Sequence, residues 1–220
     1  MGGTVPAAGG AYPYSMHALL LALLLVTEQQ VRTAITPLGS VDAAGIARLK
    51  AMGPEILPHL AHIYSQSSED ERATIAWIFY SLGMKSPDAR KALLQDIHTQ
   101  NQKLRLQVQW ALGRVSDDTQ VVDILASIMR DDPNALFRDK AACALAYDQI
   151  HLTEKQKVQL YGKLIDALRD PKLQVRQIAI TALNIHTGQT KGFNPNGAEA
   201  DRDRAIAVWK RWLAEYEQNL

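Results

Sequence analysis

The chain has 220 residues, 47% of them hydrophobic and 21% charged, a globular composition long enough to bury roughly 70% of the surface that its unfolded form exposes. With 24 basic and 23 acidic residues the formal net charge is +1, so no overall field gathers phosphate polymers or anionic membranes, and nucleic acid is not expected as a partner. A single cysteine, Cys143, excludes an intramolecular disulfide framework and any CxxC redox or zinc motif.

Residues 1–15 contain Gly and Pro but no Lys, Arg, Asp or Glu, and read as a flexible leader. The apolar run Ala18 to Val26 is nine residues long, well short of the ~20 that span a bilayer as a helix, so no membrane span is expected. Two readings of that run stay open. It is either a buried first helix continuing through Thr27 and Gln30 to Ile35, in a cytoplasmic protein, or the core of an export signal. The signal reading lacks a preceding basic residue, because the first Lys or Arg is Arg32.

Thr36 to Ser40 reads as a turn, after which the pattern is of helices in pairs with short breaks. Asp42 caps a helix through Ile46, Leu49 and Lys50 that Gly53 ends, with Pro54 suited to open the next one. That next helix carries Ile56, Leu57, Leu60 and Ile63. Farther on, Val121, Ile124, Leu125 and Ile128, and again Tyr161, Leu164, Ile165 and Leu168, repeat the i, i+3, i+4, i+7 spacing of one helical face. Between these lie helices that each begin at an Arg. Leu104-Arg105-x-x-Val108-x-x-Ala111-Leu112, Phe137-Arg138-x-x-Ala141-x-x-Ala144-Leu145 and Val175-Arg176-x-x-Ala179-x-x-Ala182-Leu183 are three copies, with a degenerate fourth at Arg72. The Arg spacings are 33, 33 and 38 residues, a period that marks a solenoid whose units bury their apolar faces by stacking on neighbours. Small Ala111, Ala144 and Ala182 let the helix axes approach closely.

These Arg-led helices, Leu112-Gly113, the phrase Met52-Gly53-Pro54-Glu55-Ile56-Leu57-Pro58-His59-Leu60 and the pairs Asp132/Arg138 and Asp170/Arg176 together resemble the HEAT-repeat family, over about Val41 to Ile185. The resemblance implies an all-α, right-handed α-solenoid of about five stacked helix pairs with a C-terminal capping helix. Its divisions are the leader 1–15, repeats over 16–186, and a Gly/Asn/Pro loop with capping helix over 187–220. It also implies a ladder of Asp–Arg pairs between turns. Gln66 and Thr99 stand where Asp is expected before Arg72 and Arg105, so the ladder reads as incomplete at its N-terminal end. The closing segment, Thr187 to Pro195 followed by Arg204, Trp209 and Trp212, is similar to that of many bacterial HEAT-like proteins. Ala205, Val208, Trp209, Trp212 and Tyr216 share a face that would fold over the last repeat. The loop 188–197 is then either a packed connection anchored by Phe193 or a ligand lid.

With each Arg as zero, positions +3, +6, +7 and +10 form the buried stripe, and +2, +5 and +9 lie nearly opposite. In HEAT solenoids the second helix of each pair generally lines the concave surface. The resemblance therefore puts Thr74, Trp77, Gln107, Trp110, Arg114, Lys140 and Tyr147 on one groove, in residue types enriched at binding hot spots. The competing reading buries both Trp residues structurally.

Catalytic patterns are weak. His59 and His62 share a helical face but lack the further ligands that a metal site needs, so no metal and no cofactor are expected. There is no phosphate loop and no nucleophile elbow, and Glu69-Asp70-Glu71 reads as a helix start. The expected function is a non-enzymatic interaction module or scaffold, a monomer presenting its groove to a protein or peptide. The alternative is a HEAT-like enzyme or chromophore-handling protein of the bilin lyase type, with a small-molecule site in the same groove.

Overall fold

The computed structural model describes residues 26–38 and 41–220, and the leader 1–15 and most of the apolar run fall outside the described residues. Short polar residues start the helices, because a side-chain oxygen satisfies amides that the first turn leaves unpaired. Asp42, Ser86, Asn101, Asp118, Asn134 and Thr153 each accept a hydrogen bond from an amide two or three residues on. At the other end, Gly83 and Gly188 take φ of 62° and 70°, a left-handed conformation that terminates a helix without a Cβ penalty.

Eleven helices and no strand are found among the described residues. They are α1 (Glu28–Ala34), α2 (Ala43–Ala51), α3 (Ile56–Gln66), α4 (Glu69–Leu82), α5 (Pro87–Leu94), α6 (Gln102–Val115), α7 (Thr119–Asp131), α8 (Ala135–Tyr147), α9 (Glu154–Ala167), α10 (Leu173–Thr187) and α11 (Glu199–Gln218). Consecutive helices pair as α1–α2, α3–α4, α5–α6, α7–α8 and α9–α10. The second helices stack in one layer, α2 on α4, α4 on α6, α6 on α8 and α8 on α10. The first helices form the other layer, with α1 on α3, α3 on α5, α7 on α9 and α9 on α11. The architecture is an all-α solenoid whose core runs between the layers.

The residues of the apolar stripes fill that core. Ile75, Ile78, Phe79, Leu82, Val108, Leu112, Leu145 and Leu183 are buried, each side chain contributing about 1.5–3 kcal/mol through removal from water. Ala111, Ala144 and Ala182 are at most 1% exposed, where a larger side chain would hold the second helices apart.

Four expectations change. Thr27 is extended and caps α1 through a reciprocal contact with Gln30, so the helix starts afresh at Glu28 and does not continue through Thr27 from the apolar run. Pro54 sits in a turn, and α3 opens two residues later at Ile56. On α11 the buried residues are Ala205, Ile206 and Trp209, while Val208 is 38% exposed. The helix lies against α9 and so extends the first layer, which puts Ile206 in place of Val208 on the buried side.

The fourth change concerns the Arg ladder. Each Arg holds a backbone carbonyl in the turn before its own helix: Arg72 on Ser67, Arg105 on Ile97, Arg138 on Asp132 and Arg176 on Asp170. Its remaining donors reach forward to the next repeat. Arg72 meets Asp96 at 2.8 Å, and Arg105 forms a buried ion pair with Asp132 beneath the Phe137 ring, whose centroid is 4.0 Å away. Arg138 meets only the Gln174 amide oxygen, at 3.3 Å, and Arg176 the Pro195 carbonyl, at 3.0 Å. The carboxylate pairs thus occupy the N-terminal half, opposite to the expected distribution, because an Asp serves the Arg of the repeat before it.

Candidate binding face on the second helices

The layer of second helices leaves one side uncovered, and the +2, +5 and +9 side chains lie there. Thr74, Trp77, Gln107, Trp110, Arg114 and Lys140 are half-buried, and Tyr147 is 61% exposed. They fall into three groups along the stack. Thr74, Trp77 and Gln107 line a cleft of about 280 Å³ together with Lys103 of α6 and with Leu38 and Val41 from the α1–α2 connection. The Gln107 amide oxygen is buried there without a hydrogen-bond partner.

Trp110, Arg114 and Lys140 form the middle group. The Trp110 ring lies 6.2 Å from that of Tyr80, and Lys140 Nζ stands 5.8 Å from the Trp110 centroid. The Arg114 guanidinium covers Tyr80 at 4.7 Å. Such cation–π contacts keep an Arg or Lys over an aromatic face while leaving the charge usable. Lys140 also pairs with Asp139 at 2.9 Å. Tyr147 belongs to the third group, a cleft of about 200 Å³ between α8 and α10 that includes Cys143, Ile178 and Ile185.

Two participants escape a reading by helical position. Tyr80 lies at +8, between the buried and open stripes, and is drawn into the face by Trp110 and Arg114. Asp148 is the residue that ends α8, and nothing in its sequence neighbourhood announces that it is 5% exposed. Its nearest cation is Arg114, with Nε 3.7 Å from Oδ1. Burial pushes its carboxyl up to about 6, and Arg114 opposes that rise only in part. Burial also raises the Cys143 thiol, which therefore stays protonated.

Elsewhere His59 and His62 make contacts with the start of the described chain. His59 Nε2 lies 3.1 Å from the Val26 carbonyl, and His62 contacts Glu28 at 2.7 Å. Among the described residues no three metal-ligating side chains converge, and no helix is long and apolar enough to cross a membrane. The acidic triplet starts α4, where the Glu71 carboxylate accepts from the Ser68 amide at 2.8 Å. The loop 188–197 is held down: Phe193 is buried, the Trp209 indole donates to the Thr190 carbonyl at 3.1 Å, and Lys191 Nζ stands 5.0 Å from the centroids of both Trp209 and Trp212. A wider opening of about 710 Å³ lies between α1 and α2, where Val26 leads out of the described residues.

No curated protein matches the chain. Residues 57–146, which run from α3 to the end of α8, match the family model for HEAT repeats. With helix pairs stacked in two layers on either side of that segment as well, the chain is an all-α solenoid of helix pairs that is similar to HEAT repeats over residues 57–146.

Proposed function

We propose that the uncovered face of the second helices is a groove that binds a peptide or protein segment, and that the chain is a non-enzymatic interaction scaffold. The observation that carries this reading is the stripe of half-buried Trp77, Trp110, Arg114 and Lys140 with exposed Tyr147, one or two per repeat, on the three stacked helices α4, α6 and α8. Trp, Tyr and Arg dominate binding energies because they present large rigid areas with a polar handle. Contacts among Tyr80, Trp110, Arg114 and Lys140 order this middle group before any partner arrives, which lowers the entropy lost on binding. HEAT repeats are commonly protein-interaction scaffolds.

Two further features support binding without catalysis. The one carboxylate raised to about 6, Asp148, lines neither cleft on the face. The clefts themselves, about 200 and 280 Å³, fall below the ≈300–1,000 Å³ of small-molecule pockets and suit single side chains better than a chromophore.

The test is affinity capture from host lysate with quantitative mass spectrometry, comparing the wild type with a Trp77→Ala/Trp110→Ala double variant whose helicity is checked by circular dichroism. A protein retained by the wild type and lost by the variant is the expected result. Equal recovery by both would make the two Trp residues structural and remove the groove from consideration.

A further inference from the structure

The second-helix face repeats, so a break in its pattern is informative. The fifth position after each Arg holds Trp77, Trp110, Cys143 and Thr181. In the step from α6 to α8, the Trp110 ring lies against Lys140. In the step from α8 to α10, the equivalent positions are Cys143 and Ile178, and there the cleft of about 200 Å³ opens. The helix spacing is still set by the small buried Ala141, Ala144, Ala179 and Ala182. The fifth position thus carries a thiol where the two preceding repeats carry an indole, and the space beside that thiol is left unfilled, whereas protein interiors ordinarily fill such space.

We propose that the α8–α10 cleft is an anchor pocket that receives one large apolar side chain, aromatic or branched aliphatic, from a peptide segment lying along the groove, with a basic residue beside the anchor. This rests on the groove reading above and specifies its partner. The walls are apolar: Cys143 and Ile178 inside, Ile185 and Tyr147 at the mouth, the last two 38% and 61% exposed. A protonated thiol presents a small hydrophobic surface. Among the described residues that line the cleft, the one formal charge is the carboxylate of Asp139, whose side chain is 47% exposed. That carboxylate pairs with Lys140 at 2.9 Å, and a Lys or Arg of the peptide can share it. Gln177, on the rim and exposed, offers its side-chain amide to the peptide backbone.

Because Cys143 is the sole cysteine of the chain, its alkylation by iodoacetamide reports occupancy of the pocket. Indole, standing in for a Trp side chain, is expected to slow that alkylation saturably, by about threefold or more, in the folded chain and not in urea. Absence of saturable protection overturns the pocket. A displayed random-peptide library selected on the wild-type chain supplies the second measurement. The expected consensus joins one large apolar residue to a neighbouring Lys or Arg. Its binding falls by about tenfold or more in Cys143→Trp, which fills the cleft with the side chain of the preceding repeats, and in Ile185→Glu, which alters only the half-exposed mouth. Both variants are first checked by thermal melting. Selected peptides that bind both variants as tightly as wild type, yet are lost by Trp77→Ala/Trp110→Ala, overturn the pocket and keep the groove. Peptides indifferent to all four substitutions overturn both.

Discussion

Arg105 shows what a single residue does in this solenoid. Arg105 is 7% exposed, and its guanidinium meets a carboxylate of the next repeat, a carbonyl of its own turn and an aromatic face. Asp132 in turn accepts from the Asn134 amide at 2.8 Å, which ties the pair to the start of α8. Removing one partner strands a buried charge, and Asp132→Ala is expected to cost about 3–5 kcal/mol, measured by urea denaturation; a loss below about 1 kcal/mol would show that water reaches Arg105. Arg105→Lys is not conservative here, since an ammonium cannot span both acceptors in the geometry of the fork. Asp148 makes the opposite case. Its carboxyl titrates near 6 in the folded chain and near the ordinary 3.8 when unfolded, so the folded state binds the extra proton between these values. Stability should therefore fall as pH rises from about 4 to about 6 and then level off. The half-satisfied contact with Arg114 and access to water moderate the penalty, and Asp148→Asn is expected to stabilise by about 1–2 kcal/mol at pH 8 and by nearly nothing at pH 4. Melts at the two pH values decide it, and an equal effect at both would assign the change to packing.

At the scale of elements, contact between neighbouring repeats sets the tolerances. Gly113 sits inside α6, where a Cβ would stand 2.8 Å from the Asp148 Cβ and 3.1 Å from the Asp148 carbonyl. The turn after α8 approaches α6 that closely only because no side chain intervenes. Gly113→Ala should therefore destabilise, by about 1–3 kcal/mol, despite the better helix propensity of Ala; a chemical melt showing a gain would mean the turn can retreat freely. The Leu112-Gly113 pair was visible in the sequence, but its reason lies in a turn more than thirty residues away. The helix that closes the C-terminal end illustrates the same limit. Its apolar face was legible, yet whether it covered α9 or α10 was not, since both present apolar surface at the end of the stack. Its choice of α9 is accompanied by an aromatic cluster: Trp212 lies 5.5 Å and Tyr216 5.6 Å from the Tyr161 ring, with Trp212 stacked on Tyr216 at 5.2 Å.

In the whole molecule, stability is distributed along one dimension, each repeat contacting mainly its neighbours. Trp209 is fully buried beneath the loop 188–197, and Trp209→Ala removes both its packing and its bond to Thr190, for an expected loss of about 3–5 kcal/mol. In hydrogen exchange that loss should appear first as reduced protection in α9, α10 and α11, with α4 and α6 little changed; uniform loss would show that the solenoid opens as one unit. The amino-acid sequence by itself determined the repeat period, the apolar face of most helices and some of their caps, such as Asp42, while the Arg-led helices start three residues before each Arg. Those properties depend on residues within a turn or two, through caps, helical spacing and glycine conformation. It missed the short α5, whose Ser86-Pro87 start is recognisable but whose eight residues carry too little periodicity to stand out. Only the tertiary structure decided that the Arg of one repeat seeks the Asp of the next, that Asp148 is buried, and that the series Trp77, Trp110, Cys143 ends in an open cleft. These follow from how closely successive second helices stack, a distance fixed by small residues on several helices at once, so residues dozens of positions apart become neighbours without any local mark in the chain.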